Sequence, residues 1–372
     1  MKITVKVKLN PNQEQVEALN EALERCRQAM NYISQVAWEH KVFNRVALHY
    51  FVYKELRKRF GLTAQLAVSV RDKVAFSYKA DKSQQHIFKK AILPLDPPRS
   101  FRLILKEGEF ASISTLRGRQ KIPLILGEYQ RNWLRDKVKG ICESEVTKNG
   151  EYYFHITIEV EEPPTKEVQE AIGVDLGIKN LATTSDGDCF SGKQVEGNRL
   201  RYERLRAELQ AKGTLSAKKH LKRVSGKERR FKSSVNHLIS RRIVDKAIET
   251  TRAIVLENLK GIRQRIKVRR SQKGQYHKWA FSELIRFITY KARLAGIPVF
   301  FIDPRHTSQR CSHCGYTSRA NRKSQSEFVC KSCGFSLNAD HNAALNLKWV
   351  FVNTPYVLRP AWEMEGQAVC FS

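Results

Sequence analysis

The sequence predicts an α/β protein, and three observations carry that reading. Residues 1–10 and 101–163 alternate apolar and polar side chains as antiparallel strands do, with an amphipathic helical stretch between them. After about residue 166, short apolar runs that carry acids alternate with long helices rich in Lys and Arg. Late in that alternation stand four cysteines in a repeated C-x2-C arrangement. At 372 residues the chain suits two or three domains, at about 100–200 residues per domain.

Element by element, MKITVKVKLN reads as a strand that Pro11 closes. From Asn12 to about Glu39, Val16, Leu19, Leu23, Cys26 and Met30 recur at spacings of three and four, the stripe of an amphipathic helix. Two more helices are expected in HYFVYKELRKRF and TAQLAVSVRDKVAFSYKA, and the pattern fades by Ser83. The runs FRLILKEG, FASIST, KIPLIL and YYFHITIEV are punctuated by Gly108, Gly118, Gly127 and Gly150, which predicts antiparallel strands joined by turns. The first ten residues join this sheet, so the helices form an insertion, and Tyr152, Tyr153 and Phe154 read as sheet core. EEPPTKE at 161–167 has the composition of a linker.

Next, AIGVDLGIKNLATTSDGDCF predicts a hairpin of buried strands. Residues 199–250 predict long basic helices, the second from about Lys227, and 253–258 a further strand. A basic loop, KGIRQRIKVRRSQKGQYHK, precedes a helix that ends at Gly296 before the strand PVFFID. His237 reads as a packed or surface histidine on its helix. From Thr354 onward no period is visible, and a flexible tail is expected.

Composition narrows the partners. Lys and Arg number 67 against 37 Asp and Glu, a formal charge of +30 at pH 7. A surplus of that size repels itself unless a polyanion neutralises it, and phosphate contacts that release counterions make nucleic acid the natural partner. With 41% hydrophobic and 28% charged residues, the chain is neither disordered nor membrane-embedded. No apolar run approaches a bilayer span, and the first residues lack the core of a secretory signal. A cytoplasmic protein is expected. Of the eight cysteines four cluster, while Cys26, Cys142, Cys189 and Cys370 stand singly, which fits a reducing compartment with one metal site.

The clustered cysteines are Cys311, Cys314, Cys330 and Cys333: two C-x2-C units across a fifteen-residue gap. Each unit bends into a knuckle whose thiolates reach one ion, and two knuckles complete a tetrahedron around zinc. Gly315 and Gly334 follow the second cysteine of each unit, where the turn needs a residue without Cβ. Four sulfurs fill the shell, so one structural Zn²⁺ is expected and catalysis is not.

Three acids form the second constellation. Asp175 lies in the apolar run Ile172–Gly173–Val174–Asp175–Leu176, and Glu257 ends Ala253–Ile254–Val255–Leu256. An acid delivered by a buried strand is costly unless it binds a cation or is paired. Asp340, in LNADHNAALNL, stands at the expected start of a helix, where an N-cap role is the alternative reading. Brought to one sheet edge, the three offer the hard-oxygen cage that two Mg²⁺ ions about 4 Å apart require, and the chemistry of such a cage is phosphodiester hydrolysis.

GVDLGIKNLATTSDG, IVLENLKG and the block PRHTSQRCSHCG…CKSCGFSLNADHNAALNL resemble, in their order and in the zinc insertion, the C-terminal half of the TnpB family of transposon-encoded RNA-guided DNA endonucleases, related to type V CRISPR effectors. The resemblance runs from about Ala171 to Leu347 and is weaker before residue 165. It implies an RNase H-like (RuvC) nuclease domain at 166–304 and 338–353 with a zinc-ribbon insertion at 305–337. Before it would come a β-barrel-like wedge domain at 1–10 and 91–165 with a helical recognition domain inserted at 11–90. Asp175, Glu257 and Asp340 then fall on the catalytic, magnesium-holding acids. The implied partners are a non-coding guide RNA and double-stranded target DNA beside a short adjacent motif, in a prokaryotic, nucleoid-associated setting. Guide pairing would carry specificity while a basic channel holds the heteroduplex backbone. The channel candidates are Arg199, Arg201, Arg204, Arg206, Lys218, Lys219, Lys222 and Arg223, with Arg263, Arg265, Lys267, Arg269 and Arg270. Ser308, Gln309, Arg310, Arg319, Arg322 and Lys323 are further candidates for nucleic-acid contact. The alternatives are a repressor of the same fold that no longer cuts, and a transposase or resolvase that needs no guide.

Overall fold

The computed structural model describes all residues except 259–280, 304, 306, 325 and 354–372. The chain divides into two compact units, Met1–Glu161 and Glu162–Ser372. The expected tail and the basic loop with Arg263, Arg265, Lys267, Arg269 and Arg270 lie outside the described residues.

In the first unit, β1 (Lys2–Leu9) is followed by three helices, α1 (Gln13–Glu39), α2 (Arg45–Lys58) and α3 (Ala64–Ala80). Asn12, Asn44 and Thr63 cap them, each accepting a backbone N–H of the first turn. Their cores are the residues the periodicity picks out, among them Leu19, Leu23, Cys26 and Met30. The strands β2 (Ile92–Leu95), β3 (Phe101–Ile104), β4 (Phe110–Thr115), β5 (Gly118–Ile125), β6 (Gly140–Ile141), β7 (Ser144–Asn149) and β8 (Glu151–Glu159) follow, with the short helix α4 (Glu128–Arg131) between β5 and β6. All pairs are antiparallel, in the order β2-β7-β8-β1-β5-β4-β3 with β6 also on β8, so β1 does join the sheet and the helices do interrupt it. β8 alternates cleanly: Tyr152, Phe154, Ile156 and Ile158 are buried, whereas Tyr153 faces the other way, beneath the Lys6 ammonium at 3.8 Å.

Periodicity did not disclose β2 or β7. ILPL is short and contains Pro94, tolerated because β2 closes one end of the strand order, and SEVTKN offers a single apolar residue.

In the second unit the sheet order is β11-β10-β9-β12-β13, built from β9 (Ala171–Asp175), β10 (Asn180–Thr184), β11 (Cys189–Ser191), β12 (Ala253–Glu257) and β13 (Val299–Ile302). The first three form an antiparallel meander; β12 runs parallel to both β9 and β13. Both faces are covered, which is why β9 and β12 read as continuous apolar runs. On one face Ile172, Val174, Ile254 and Leu256 pack with α6 (Leu215–Glu249) and α7 (Phe281–Leu294). On the other, Ala171, Ala253 and Val255 pack with Leu347 and Phe351 of α8 (Ala339–Asn353).

Between β11 and β12 the chain forms a helical hairpin, α5 (Lys193–Lys212) and α6, about a small core of Leu209, Ala217 and Val224. The sequence places the second helix from about Lys227; it begins twelve residues earlier, at Leu215, where Thr214 accepts the Ala217 N–H as N-cap. Polar composition conceals that first stretch, since only one side of it is covered. His237 is exposed and stacks on Phe287 at 3.8 Å, a packing role.

Candidate active site and metal centre

The two C-x2-C units fold into matching knuckles. In each, the glycine N–H returns to the carbonyl of the first cysteine, Gly315 to Cys311 at 2.9 Å and Gly334 to Cys330 at 3.0 Å. The first cysteine's N–H reaches the residue after that glycine, Tyr316 or Phe335. Both glycines have positive φ, +79° and +74°, a conformation that other residues enter at a steric penalty. The knuckles bring Sγ of Cys311 to 3.8 Å from Cys333 and Cys314 to 3.6 Å from Cys330. A tetrahedron of zinc–sulfur bonds of about 2.3 Å has edges of about 3.8 Å. The donor set and its spacing therefore fit a zinc ion. Among the described residues, this is the only group of three or more His, Cys, Asp or Glu whose ligand atoms all lie within 4.8 Å of one another.

The acids are brought together by register and by one close contact. β9 and β12 pair Val174 with Leu256, so the next step along both strands puts Asp175 beside Glu257. Since side chains alternate, both project to the α8 face. On that face α8 lies almost on the backbone of Gly173: a Cβ there would stand 2.0 Å from the Ala344 carbonyl oxygen. Gly173 and Asp175 share a strand face, and Asp340 lies one turn before Ala344, so the contact that only glycine permits also brings Asp340 to Asp175.

The electrostatics follow from this placement. Burial first, and then the charges of Glu257 and Asp340, hold the Asp175 carboxyl well above the usual carboxylate range. Burial also raises Glu257, against the Thr307 hydroxyl, which donates to Glu257 Oε1 at 2.6 Å, and the positive charge of Arg322. Asn180 donates to Asp340 Oδ2 at 2.9 Å, and the Arg322 guanidinium lies 3.8 Å from Asp340 Oδ1. The three carboxylates are thus close enough to repel, yet their oxygens do not close to the spacing of the cysteine quartet. The N-cap alternative for Asp340 is overturned. Asn338 takes that role, accepting the N–H groups of Asp340 and His341 at 3.0 and 3.2 Å, which leaves the Asp340 carboxylate to face the other acids.

The basic candidates separate into two kinds. Arg201, Arg204, Lys218, Lys219, Lys222 and Arg223 are exposed on the hairpin. Arg199 and Arg206 are taken up by the hairpin itself. Arg199 is held between Glu196 and Glu203 with its side chain 11% exposed, and Arg206 pairs with the buried Glu228. Hydrogen bonding to Glu196 raises the Arg199 pKa further, so these two arginines brace helices. Arg310 stacks over Trp349 at 3.6 Å. Thr307 and Asn180 escape sequence reasoning, because nothing in a lone hydroxyl or amide foretells which distant carboxylate it will meet. Arg322 was noted for nucleic acid only. Its neighbour Asn321 is buried and binds the carbonyls of Gln309 and Tyr316 and the Lys331 N–H, which fixes that stretch beside the acids.

Two family profiles match the chain: one described as Cas12f1-like, TNB domain, over residues 281–347, and one described as probable transposase, over residues 155–263. The Cas12f1 endodeoxyribonuclease of Sulfoacidibacillus thermotolerans is 33% identical over 219 residues, 54% of this chain and 50% of that protein. The putative RNA-guided DNA endonuclease InsQ of Escherichia coli (strain K12) is 30% identical over 243 residues, 58% and 59% of the two chains. The TnpB-like protein MJ0751 of Methanocaldococcus jannaschii is 24% identical over 239 residues, 61% of this chain and 84% of that one. The chain thus spans about half the length of the curated relatives it matches first. In fold it is similar to the protein of a Cas12f1–sgRNA–target DNA complex, with a TM-score of 0.66 at 17% identity over 91% of this chain and 83% of that one. In its profiles and its relatives, the chain is similar to the TnpB-like proteins and the Cas12f endodeoxyribonucleases, the resemblance that its motifs carry.

Proposed function

We propose that this chain is an RNA-guided, Mg²⁺-dependent endonuclease that cleaves double-stranded DNA beside a short adjacent motif. The observation that carries the reading is the convergence of Asp175, Glu257 and Asp340 on one face of the second unit's sheet, from two parallel strands and a helix start. Buried, mutually repelling carboxylates are stable only with protons or cations among them. Their all-oxygen donor set fits magnesium. Beside Asp175 across the β9–β10 ladder, the buried Thr183 hydroxyl has no hydrogen-bond partner among the described residues, a polar atom left over for a bound group.

Asp175, Glu257 and Asp340 would hold the metal ions, which when bound supply an activated water and neutralise the leaving oxygen of the phosphodiester. Thr307 and Asn180 orient the outer two carboxylates by donating to them, and Arg322 presents a cation where a phosphate would arrive. The second unit is read as the RuvC-like nuclease domain with its zinc ribbon at 305–337. The first is read as the wedge, with residues 11–90 as the recognition domain. Guide RNA and target DNA are proposed for this chain from the activities of its relatives, RNA-guided endonuclease and endodeoxyribonuclease; the charge of +30 supports a polyanionic partner. The exposed cations of the α5–α6 hairpin are the proposed backbone contacts.

The test is to purify the protein with the RNA transcribed from its own flanking DNA and assay Mg²⁺-dependent cleavage of a matching plasmid. Asp175→Ala, Glu257→Gln and Asp340→Ala serve as controls. Cleavage by the wild type, lost by at least about a thousandfold in each variant, is expected, since each removes a ligand of the transition-state charge. Bound RNA without cleavage would point to the repressor, and cleavage or strand joining without RNA to the transposase.

A further inference from the structure

Asn338, Asn342 and Asn346 recur every four residues and so lie along one side of α8. Asn342 and Asn346 are buried, and both reach out of the helix to the segment that leads into the first knuckle. Asn346 Nδ2 donates to the carbonyls of Thr307 at 2.8 Å and Arg310 at 2.7 Å, while its Oδ1 accepts from Arg310 Nη1 at 3.1 Å. Asn342 Nδ2 donates to the Arg310 carbonyl at 2.9 Å, and its Oδ1 accepts the Ser312 N–H at 3.0 Å. Thr307 in turn donates its hydroxyl to Glu257.

These bonds do something the sheet cannot. Strand register sets Asp175 against Glu257, but Asp340 arrives on a helix, and the Glu257 carboxyl sits at the end of a longer, freer side chain. The path Asn346–Thr307–Glu257 ties that carboxyl to the helix that carries Asp340. A buried amide left without partners costs about 1–3 kcal/mol, so residues 307–310 cannot drift from α8 cheaply. Outer-shell groups of this kind fix the direction of a ligand's lone pairs, and losing one typically weakens metal affinity about 10- to 100-fold.

We infer that Asn346, supported by Asn342, is a positioning residue for the carboxylate site: it holds Thr307 where that hydroxyl orients Glu257 toward Asp340. The inference rests on reading the three acids as a cation site. It assigns the asparagines no contact with metal or substrate.

Mn²⁺, a paramagnetic ion suited to carboxylate ligands, tests it. It is titrated into the full-length protein carrying its zinc, and the free ion is followed by electron paramagnetic resonance. Wild type, Asn346→Ala, Thr307→Val, Thr307→Ser and the Asn346→Ala/Thr307→Val double variant are compared, with zinc content and thermal midpoint recorded for each. Asn346→Ala and Thr307→Val should each weaken Mn²⁺ binding by about 10- to 100-fold with zinc retained. The double variant should be no weaker than the worse single, since both break one path, and Thr307→Ser, which keeps the hydroxyl, should bind as the wild type does. Either single variant binding as tightly as wild type overturns the inference, and so does a double variant whose losses add. If Asn346→Ala does not fold, Asn346→Ser takes its place beside Thr307→Val and Thr307→Ser, and Mn²⁺ binding as tight as wild type in it overturns the inference in the same way. A wild type that takes up no Mn²⁺ removes the cation site itself, a distinct failure that falls on the proposed function.

Discussion

The cysteine quartet and the carboxylate cluster both belong to the second unit, yet they are built in opposite ways. The quartet is assembled from two short turns that bring its four sulfurs within 4.8 Å of one another. The carboxylates are carried by β9, β12 and α8, and their oxygens stay apart. Thiols are neutral when protonated and pack as small apolar groups. Carboxylates driven into a buried corner repel one another, and burial with that repulsion holds the Asp175 carboxyl well above its ordinary range. Soft ligands are here gathered by local turns of the backbone, whereas the hard anionic ligands are carried by a frame of strands and helix and call for a counter-charge.

The largest test of that contrast is to remove a sulfur. Cys330→Ser should cut zinc content from one ion per chain to near none and open residues 305–337 to protease, because binding to such a site contributes about 10 kcal/mol or more of folding free energy. Loss confined to this element, with the five-stranded sheet still protected from hydrogen exchange, would show the quartet to be a local structure.

Gly173→Ala strikes the other site through its frame. With the new methyl 2.0 Å from the Ala344 carbonyl, α8 must shift. Destabilisation by about 1–3 kcal/mol is expected from overpacking, together with weaker divalent-ion binding while zinc is kept. Unchanged ion binding would mean that the helix does not place Asp340.

The α5–α6 hairpin offers a smaller comparison. Arg206→Ala leaves Glu228 buried beside one fewer cation and should cost about 1–3 kcal/mol in denaturant unfolding. Arg204→Ala should leave stability within about 0.5 kcal/mol and instead reduce the salt slope of RNA binding by about one. Equal effects of the two would erase the distinction between bracing and exposed arginines.

The smallest effect concerns protons. Asp175 and Glu257 have folded pKa values above their ordinary ones, so the folded state holds their protons more tightly. That contribution is fully present below the ordinary carboxylate pKa of about 4 and is lost as pH rises through the raised folded values. The metal-free protein should therefore lose stability on going from acid to neutral pH. Asp175→Asn should raise its thermal midpoint at pH 7 by a few degrees and leave it unchanged near pH 4. A midpoint lowered at pH 7 would contradict the assigned cause.

Much of this was legible in the sequence for reasons the contrast explains. A C-x2-C pair is a local object, so Cys311, Cys314, Cys330 and Cys333 declare their partnership by spacing alone. Asp175 and Glu257 stand out because an acid in an apolar strand needs an explanation. Asp340 was ambiguous, since a helix start also welcomes an acid as cap, and only Asn338 in that place decides it. Gly173 looked like one more glycine in a strand; its significance lies in a helix that arrives more than 160 residues later. Nor could composition tell Arg206 from Arg204, because the difference is which way one helix of the hairpin faces the other.

The most direct measurement is reprogramming. The guide segment of the RNA that purifies with the protein is replaced by an unrelated sequence, and the complex is given one plasmid matching the old guide and one matching the new, each beside the same adjacent motif, with Mg²⁺ present. The proposed function requires the cut to move to the new match and to vanish with Asp175→Ala. A cut that stays at the old site, or that needs no matching RNA, would contradict it.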